Sequence, residues 1–392
     1  MIVKNINIIY MSTSFTQRIT DLEKYIEDIE CIYPMTYYPY TEKIVAIGDI
    51  HGDFEALLRI LHAAKIIDRQ GLWIAGNTTL VQTGDIVDDS RYSFKRKEHL
   101  FNFKHLPEDE LFIYGFFADL NLQANAVGGR VLLCMGNHEY THIIHEMGKD
   151  DYYTQPSTID WYNTFGLNKR YEIFKPGGIL AKKLACMLNL VVVVGDWIFC
   201  HGGLNCSSIF SRADLEDINR KMGMYMRDGL ENLSIEDQLE YRHRFYDNEF
   251  VLYDRRYSIN QYEDDKSDTC KDFERIKKVL EMPDAKIVIG HTVQELPNSI
   301  CDDSIYRIDT AMSRAFGPKD KKTDRLFVLL IIKNKPFMVD GTGNVYRVPD
   351  NKKYREILNS ENKPTLEYVK QKDLICREED IPEIIYDDMD LI

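Results

Sequence analysis

Short runs of apolar, often β-branched residues recur along this chain, and loops or longer amphipathic stretches separate them. Such short runs bounded by turn residues are typical of buried strands, whereas apolar residues spaced three and four apart are typical of helices. The alternation predicts an α/β protein in which each strand leads into a loop and then usually into a helix. The predicted strands cover residues 44–47, 80–83, 131–135, 191–194, 197–200, 287–289 and 325–332.

Two helices are predicted between these runs. One covers residues 53–66, where apolar side chains recur at helical spacing, at Phe54, Leu57, Leu58 and Leu61. Aspartate is a preferred residue at a helix N-terminus, so we expect Asp53 to cap this helix rather than to bind a metal. The second predicted helix covers residues 108–126.

Three stretches have the composition of insertions between the core elements. Residues 90–106 are locally basic, residues 140–175 are polar and aromatic, and residues 211–283 are highly charged and predicted to be helical. The C-terminal end is strongly acidic, and we expect a solvated end rather than a docking motif. The predicted layout is an N-terminal extension (1–42), a main domain (43–350) and a C-terminal extension (351–392).

Composition is that of a folded globular protein, because 44% of the 392 residues are hydrophobic and 29% are charged. The net charge of −14 repels polyanions, so we expect no nucleic-acid or membrane partner. The longest apolar runs are too short to span a bilayer, and the N-terminus lacks the pattern of a signal peptide. These features predict a soluble protein and leave its oligomeric state open.

The eight cysteines show no C-x-x-C pair and no spacing typical of a disulfide framework. We therefore expect a reducing compartment, and an intracellular, cytoplasmic location in particular. Cys134 and Cys200 are predicted to be small buried residues.

Five short motifs rich in glycine and in metal-ligand residue types directly follow predicted strands. They are G-D-I-H-G (48–52), G-D-I-V-D (84–88), G-N-H-E (136–139), H-G-G (201–203) and G-H-T (290–292). Each alone is an ordinary turn, but their joint occurrence at strand ends indicates a shared site, because ligand sites gather at the carboxyl ends of strands. Carboxylate oxygen and imidazole nitrogen suit divalent metals, and the motifs offer Asp49, His51, Asp85, Asn137, His138, His201 and His291.

This ordered set of motifs resembles the signature of the calcineurin-like metallophosphoesterases, and of the phosphoprotein phosphatases among them, over about residues 43–335. Four further segments are similar to the Shewanella-like protein phosphatases: 174–181, 252–257, 288–292 and 307–317. The resemblance implies a two-sheet α/β/β/α sandwich with helices on the outer faces. Residues 211–283 would form a helical insertion in this metallophosphoesterase domain.

The resemblance also implies two divalent metal ions, for which Mn²⁺ is the first expectation and Fe or Zn the alternatives. Asp85 would bridge the two ions. The first ion would also bind Asp49 and His51, and the second would also bind Asn137, His201 and His291. Two cations about 3.5–4 Å apart lower the pKa of a bridging water and clamp the phosphoryl oxygens, so a bridging hydroxide would attack in line.

The same resemblance implies that His138 protonates the leaving group and that Asp88 orients it and keeps it cationic. Glu139 is expected to orient a neighbouring loop, and Asp309 to support His291 or to be structural, with neither role favoured. The other histidines show no spacing that indicates a metal site: His62, His99, His105, His142, His145 and His243.

One motif departs from the family pattern. The protein phosphatases usually have G-D-x-V-D-R-G, whose arginine grips the substrate phosphate, but here Asp89, Ser90 and Arg91 follow Asp88. Either Arg91, which lies two residues after the position of the family's arginine, binds the phosphate, or Arg255 does. Arg256 is a less favoured candidate than Arg255.

The leading functional hypothesis is a metal-dependent phosphomonoesterase acting on phosphoserine, phosphothreonine or phosphotyrosine, with the basic 90–106 insertion as a docking feature. Its substrate would be a phosphorylated protein or a small phosphoester. Because the motif departure loosens this assignment, a dinucleoside polyphosphate or phosphodiester hydrolase is the second hypothesis. A catalytically weak binding scaffold with the same fold is the third.

Overall fold

The computed structural model describes residues 32–88, 109–144, 172–205, 209–229, 234–236, 238–239, 251–257, 268–316, 325–359 and 366–370. The described strands, in chain order, are β1 (Tyr37–Tyr38), β2 (Lys43–Ile47), β3 (Thr79–Gln82), β4 (Arg130–Cys134), β5 (Leu188–Asn189), β6 (Val191–Val194), β7 (Trp197–Cys200), β8 (Lys286–Ile289), β9 (Asn298–Ile300), β10 (Ile305–Arg307), β11 (Phe327–Ile332), β12 (Lys335–Asp340) and β13 (Val345–Arg347). The described helices are α1 (Phe54–Ala63), α2 (Asp109–Asn125), α3 (Asn137–Ile144), α4 (Ile179–Leu184), α5 (Arg212–Asp228), α6 (Asp268–Val279) and α7 (Asn351–Asn359).

These strands form two mixed sheets. The order is β1-β6-β7-β8-β10-β9 in one sheet and β13-β12-β11-β2-β3-β4-β5 in the other. Neighbouring strands β2, β3 and β4 are parallel, and so are β7, β8 and β10. The strands β2, β3, β4, β7 and β8 each lead into a loop that carries one of the five predicted motifs.

Side chains alternate between two buried layers along the strands. Ile44 and Ala46 of β2 pack with Val192 and Val194 of β6 between the sheets. The intervening residues face the outer core, which is shared with the helices: Val45, Ile47, Val191 and Val193. Burial on both faces explains why these strands are continuously apolar, and it confirms the predicted sandwich with flanking helices.

Helix α1 lies where the sequence predicts it. Asp53 caps the helix through its Oδ1 atom, which accepts the backbone N–H of Ala56 at 3.1 Å. Leu57 and Leu61 are fully buried in the outer core. Helix α2 also matches its prediction to within one residue at each end. Among the described residues, no helix has both the length and the apolar character needed to cross a bilayer.

The predicted insertions are only partly described. Helix α3 enters the 140–175 stretch, and helices α5 and α6 lie near the two ends of the 211–283 stretch. The basic 90–106 stretch and the acidic C-terminal end lie outside the described residues. The division into extensions and main domain stays a prediction, although β1 joins a sheet ahead of residue 43 by pairing with β6.

The cysteines differ from expectation. Cys270 of α6 and Cys301, which follows β9, form a disulfide with their Cα atoms 5.3 Å apart, and Cys186 is disulfide-bonded as well. The pairing depends on how α6 packs against the sheet, so the spacing of cysteines along the chain did not reveal it. Cysteine spacing therefore gives no support to a reducing compartment. Cys134 and Cys200 are free and fully buried, as predicted.

Candidate metal centre

The motif loops converge at the carboxyl ends of the parallel strands. Two glycines allow their close approach. A Cβ atom at Gly136 would overlap the Asp85 carboxylate, and one at Gly290 would overlap the Asp49 carboxylate. Only glycine leaves room for the carboxylates at these two positions. The glycines identified in the sequence therefore shape the site directly.

The backbone of these loops is unusually strained. His51, Asp85, Asp88 and His291 adopt positive φ angles of 41°, 57°, 71° and 64°. Non-glycine residues rarely adopt this conformation, and such residues cluster at functional sites, where the surrounding structure enforces it. Four of the predicted site residues therefore share a backbone conformation that is uncommon for non-glycine residues.

Asp85 lies at the centre of the cluster, and its Oδ2 atom faces three imidazoles. It lies 3.7 Å from Nε2 of His51, 3.7 Å from Nε2 of His138 and 3.2 Å from Nε2 of His201. All four side chains are buried. Asp85 therefore belongs to two neighbouring groups of side chains that could each hold a metal ion. One group is His51, Asp85 and His138, and the other is Asp85, His201 and His291.

In one group, ligand atoms surround Nε2 of His201. This nitrogen lies 2.9 Å from Oδ1 of Asn137 and 3.1 Å from Nδ1 of His291. Nδ1–H of His201 donates to the carbonyl of Thr83 at 2.9 Å, so Nε2 carries the free lone pair. Atoms bound at about 2.1 Å to one ion lie about 3 Å apart, so Asp85, Asn137, His201 and His291 fit a single divalent cation.

In the other group, which contains His51 and Asp85, the ligand atoms lie farther apart. Nδ1 of His51 faces the carbonyl of Val87 at 3.1 Å, which fixes the ring and leaves Nε2 toward Asp85. Nε2 of His51 also lies 4.0 Å from Oδ2 of Asp49. Asp49, His51 and Asp85 thus offer a second set of oxygen and nitrogen ligands, with His138 beside them.

The charges of the cluster favour cations. Burial, followed by the charges of Asp309 and Asp85, raises the pKa of the Asp49 carboxyl well above its usual range. Burial raises the pKa of Asp309 to about 6, and its side chain lies within hydrogen-bonding reach of Asp49. Divalent cations would offset this repulsion between buried carboxylates, so the residues present fit a two-metal centre. Asp309 acts directly on Asp49, because its charge makes the largest charge contribution to the raised pKa of Asp49.

The imidazole of His138 faces Asp85 with its Nε2 atom and is held by Asp88 at its other nitrogen. Its Nδ1 atom lies 2.6 Å from Oδ2 of Asp88, and both side chains are buried. Burial alone would raise the pKa of the Asp88 carboxyl, but the charge of His142 and hydrogen bonds from His138 and His142 hold it well below its usual range. Asp88 is therefore an anion that orients His138 with Nε2 toward the cluster.

Glu139 ties two of the motif loops together. Its buried carboxylate accepts the backbone N–H groups of Asp85, Ile86 and Val87, at 3.0, 2.7 and 3.1 Å, and that of Gly136 at 2.7 Å. The predicted loop-orienting role of Glu139 is confirmed. Because a carboxylate with several N–H donors is a strong acceptor, this contact fixes Asp85 relative to the 136–139 loop.

The candidate phosphate-binding arginines differ in their surroundings. Arg255 donates through one terminal nitrogen to the carbonyl of His291 at 3.3 Å and to Oγ1 of Thr292 at 3.0 Å. Arg256 instead binds Asp254 with two guanidinium nitrogens and lies 3.6 Å from Asp272. The structure thus places Arg255 beside the metal-ligand loops and engages Arg256 in an ion pair. Arg91 lies outside the described residues.

Two residues near the site were not singled out from the sequence. His142 contacts Asp88 at 2.8 Å; its spacing of four residues from His138 on one helix could have revealed it. Tyr253 hydrogen-bonds Thr141 at 3.1 Å, and its ring stands perpendicular to His291 with the centroids 6.4 Å apart. Tyr253 lies in the 252–257 segment that carries the resemblance, but no local signal indicated its contact with the site.

Comparison with known proteins identifies the class. The family model for calcineurin-like phosphoesterases matches residues 42–295. Together with the two-sheet fold and the cluster of buried aspartates and histidines, this match shows that the chain belongs to the calcineurin-like phosphoesterase family. The chain is accordingly a phosphoric ester hydrolase, and its family implies divalent metal ions, which the His and Asp clusters could bind.

Within this family, the chain is similar to Shewanella-like protein phosphatases. It is 33% identical to Shewanella-like protein phosphatase 1 of Plasmodium berghei, over 69% of this chain and 67% of that protein. It is 26% identical to Shewanella-like protein phosphatase 2 of Arabidopsis thaliana, over 71% of this chain and 73% of that protein. The fold matches a cold-active protein-tyrosine phosphatase of a psychrophilic Shewanella species, with a TM-score of 0.55, 21% identity, and coverage of 82% of this chain and 83% of that one. The resemblance found in the motifs is confirmed.

Proposed function

We propose that this chain is a metal-dependent phosphomonoesterase that dephosphorylates serine, threonine or tyrosine residues of proteins. The observation that carries the proposal is the position of Asp85, whose Oδ2 atom faces His51, His138 and His201 within 3.7 Å. The names of the similar proteins, which are protein phosphatases, support the substrate class.

In this proposal, Asp85 is shared between two metal ions. Asp49 and His51 complete the first site, and Asn137, His201 and His291 complete the second. We propose Mn²⁺ as the native ion, with Fe or Zn as the alternatives that metal analysis would distinguish. Bound divalent cations would neutralise phosphoryl charge and promote ionisation of the attacking water.

His138 is the proposed general acid. Because Asp88 is an anion, the ring atom facing it is a protonated Nδ1, and Nε2 is the nitrogen that faces the cluster. The negative charge of Asp88 also favours the imidazolium form, whose Nε2–H can protonate the departing alkoxide of the substrate. Because a protonated Nε2 cannot bind a metal ion, His138 is not one of the proposed metal ligands, although it lies near His51 and Asp85.

Arg255 is the proposed phosphate clamp. Its guanidinium lies against the loop of His291 and Thr292, next to the second metal site. Arginine binds a dianionic phosphate through charge-assisted and often paired hydrogen bonds. Arg91 remains an alternative clamp. A cytoplasmic location and a docking role for the basic 90–106 stretch remain predictions from the sequence.

Turnover of a matched substrate panel tests the proposal. The panel contains phosphoserine, phosphothreonine and phosphotyrosine peptides, p-nitrophenyl phosphate and a dinucleoside polyphosphate, each with Mn²⁺, Zn²⁺, Fe²⁺ or Mg²⁺. We expect metal-dependent hydrolysis of at least one phosphopeptide, at a higher kcat/KM than for the dinucleotide. Preference for the dinucleotide would overturn the substrate assignment, and no turnover with any metal would favour a binding scaffold.

A His138→Asn variant tests the division of roles at the same time. Loss of a general acid usually costs about 10²–10⁴-fold in turnover, and bound metal should be retained. The loss should shrink for p-nitrophenyl phosphate, whose leaving group needs little protonation. Loss of metal together with activity would instead make His138 a ligand.

A further inference from the structure

The Asp88 carboxylate is held from both sides by histidines of one helix. Its Oδ2 atom lies 2.6 Å from Nδ1 of His138, and its Oδ1 atom lies 2.8 Å from Nε2 of His142. All three side chains are buried, with exposed fractions of 1% for Asp88, 5% for His138 and 4% for His142. Two directed contacts, one to each oxygen, fix the plane of this carboxylate.

The spacing of the two histidines on α3 makes this arrangement rigid. Residues four apart in a helix lie on the same face, so His138 and His142 both present their rings to Asp88. The ring of His142 also packs against Phe174, with the centroids 5.1 Å apart and the planes inclined by 39°. His142 is thus held by its helix and by packing, independently of its contact with Asp88.

The chemistry of the contacts defines the proton positions. An ionised carboxylate only accepts hydrogen bonds, so both facing nitrogens must donate. His138 therefore carries a proton on Nδ1, and Nε2 of His142 also carries one. The direction of Nε2 of His138 then follows from the orientation of Asp88, which in turn depends on His142.

We infer that His142 is a positioning residue for phosphoester hydrolysis: it holds the carboxylate of Asp88 in the orientation that aims His138 at the leaving group. This inference rests on the proposed function, because it gives His142 an effect only through the general acid. His142 touches neither substrate nor metal in this account. Its loss should therefore impair protonation of the leaving group and spare metal binding.

Two substitutions separate the hydrogen bond from simple packing. His142→Leu removes the donor, whereas His142→Gln places an amide N–H near the position of Nε2. We expect His142→Leu to lower kcat for a phosphoserine peptide by roughly 10- to 100-fold, the range seen for partners that orient a functional group. We expect a much smaller loss with p-nitrophenyl phosphate, and recovery of most of the loss in His142→Gln.

A double substitution gives the sharpest control. In a His138→Asn background the general acid is absent, so adding His142→Leu should cost little further activity. Metal content and thermal unfolding of each variant show whether the site and fold are intact. If His142→Leu does not fold, His142→Asn serves in its place, because its shorter amide falls short of Asp88, and the same loss is expected.

Two results would overturn this inference alone. One is wild-type kcat on the phosphopeptide in a folded, metal-loaded His142→Leu or His142→Asn protein. The other is an equal loss on both substrates, with no recovery in His142→Gln, which would assign His142 a structural role. A wild-type protein that hydrolyses neither substrate would instead overturn the proposed function as well.

Discussion

Arg255 and Arg256 are adjacent in sequence, but their guanidinium groups contact different parts of the molecule. Arg255 lies against His291 and Thr292, whereas Arg256 pairs with Asp254 and Asp272. Two consecutive arginines therefore differ in role: Arg255 is the proposed phosphate ligand, and Arg256 holds neighbouring elements together through its ion pairs. This difference gives a matched pair of substitutions.

Arg255→Ala should lower kcat/KM for a phosphopeptide by roughly 10- to 100-fold, because a charge-assisted hydrogen bond contributes about 1.5–3 kcal/mol. Arg256→Ala should leave kcat/KM within about twofold and lower Tm, because it breaks the paired contact with Asp254. Steady-state kinetics and thermal unfolding of both variants measure these effects. The reverse pattern would show that Arg256 binds the phosphate.

Asp309 gives a pH-dependent prediction for the metal-free protein. Because burial raises its pKa to about 6 from 3.8, folding favours its protonated form, and this contribution to stability is lost as the pH rises from about 4 to about 6. Asp309→Asn mimics the protonated form and keeps an oxygen for the N–H of Ala311. In chelator-treated protein, this variant should unfold at a Tm higher by about 2 °C or more at pH 8.

The gain from Asp309→Asn should shrink as the pH falls from about 6 to about 4, because the folded wild-type carboxyl takes up its proton over this range. Thermal unfolding at several pH values checks the trend. A gain that is constant across this range would contradict the raised pKa.

At the scale of elements, the motif loops are held to one another by Glu139. This side chain follows Asn137 and His138 at the start of α3, and it reaches across to the loop that carries Asp85. The same carboxylate accepts the hydroxyl of Tyr114 from α2 at 3.1 Å. One buried carboxyl group thus connects two loops of the cluster and a helix.

Glu139→Gln should weaken metal binding and lower Tm, because the amide NH₂ would face backbone N–H donors where an oxygen now accepts them. Tyr114→Phe is the matched control, since it removes only one donor to the same carboxylate and should change metal affinity little. Metal titration by calorimetry measures both. Equal metal affinity in Glu139→Gln and the wild type would show that the loops do not depend on this contact.

The sequence predicted the elements whose signal is local. Buried strands such as β6 are uniformly apolar, and the capped helix α1 has both its periodicity and its start signal in the chain. The motifs at strand ends predicted which residues meet, because parallel strands place their carboxyl ends at one edge. The short strands β1 and β5 have two residues each and exist only through pairing with neighbours, so no local pattern marks them.

The contacts that sequence reasoning missed depend on tertiary proximity. His142 acquires its role because α3 packs beside Asp88, which lies 54 residues away in the chain. The disulfide between Cys270 and Cys301 likewise requires α6 to pack next to the end of β9. In contrast, the role of Glu139 was predictable, because it sits inside a motif whose other residues already defined the loop.

At the scale of the whole molecule, the two sheets bring the proposed metal ligands from both halves of the chain to one edge. The sheet containing β2, β3 and β4 supplies Asp49, Asp85 and Asn137, and the sheet containing β7 and β8 supplies His201 and His291. Asp85 is the proposed shared ligand, and its Oδ2 atom faces groups from both sheets. In the proposed mechanism, this one carboxylate therefore supports two metal ions and the hydrolysis of phosphoesters.

Metal content measured beside turnover, in the wild type and in Asp85→Asn, tests this claim most directly. The wild type, reconstituted with Mn²⁺ and freed of excess metal, should retain two ions per chain and hydrolyse a phosphopeptide. Asp85→Asn should lose metal from both sites together with activity, because a neutral amide replaces the bridging carboxylate. An Asp85→Asn protein that is folded and keeps both ions would contradict the account.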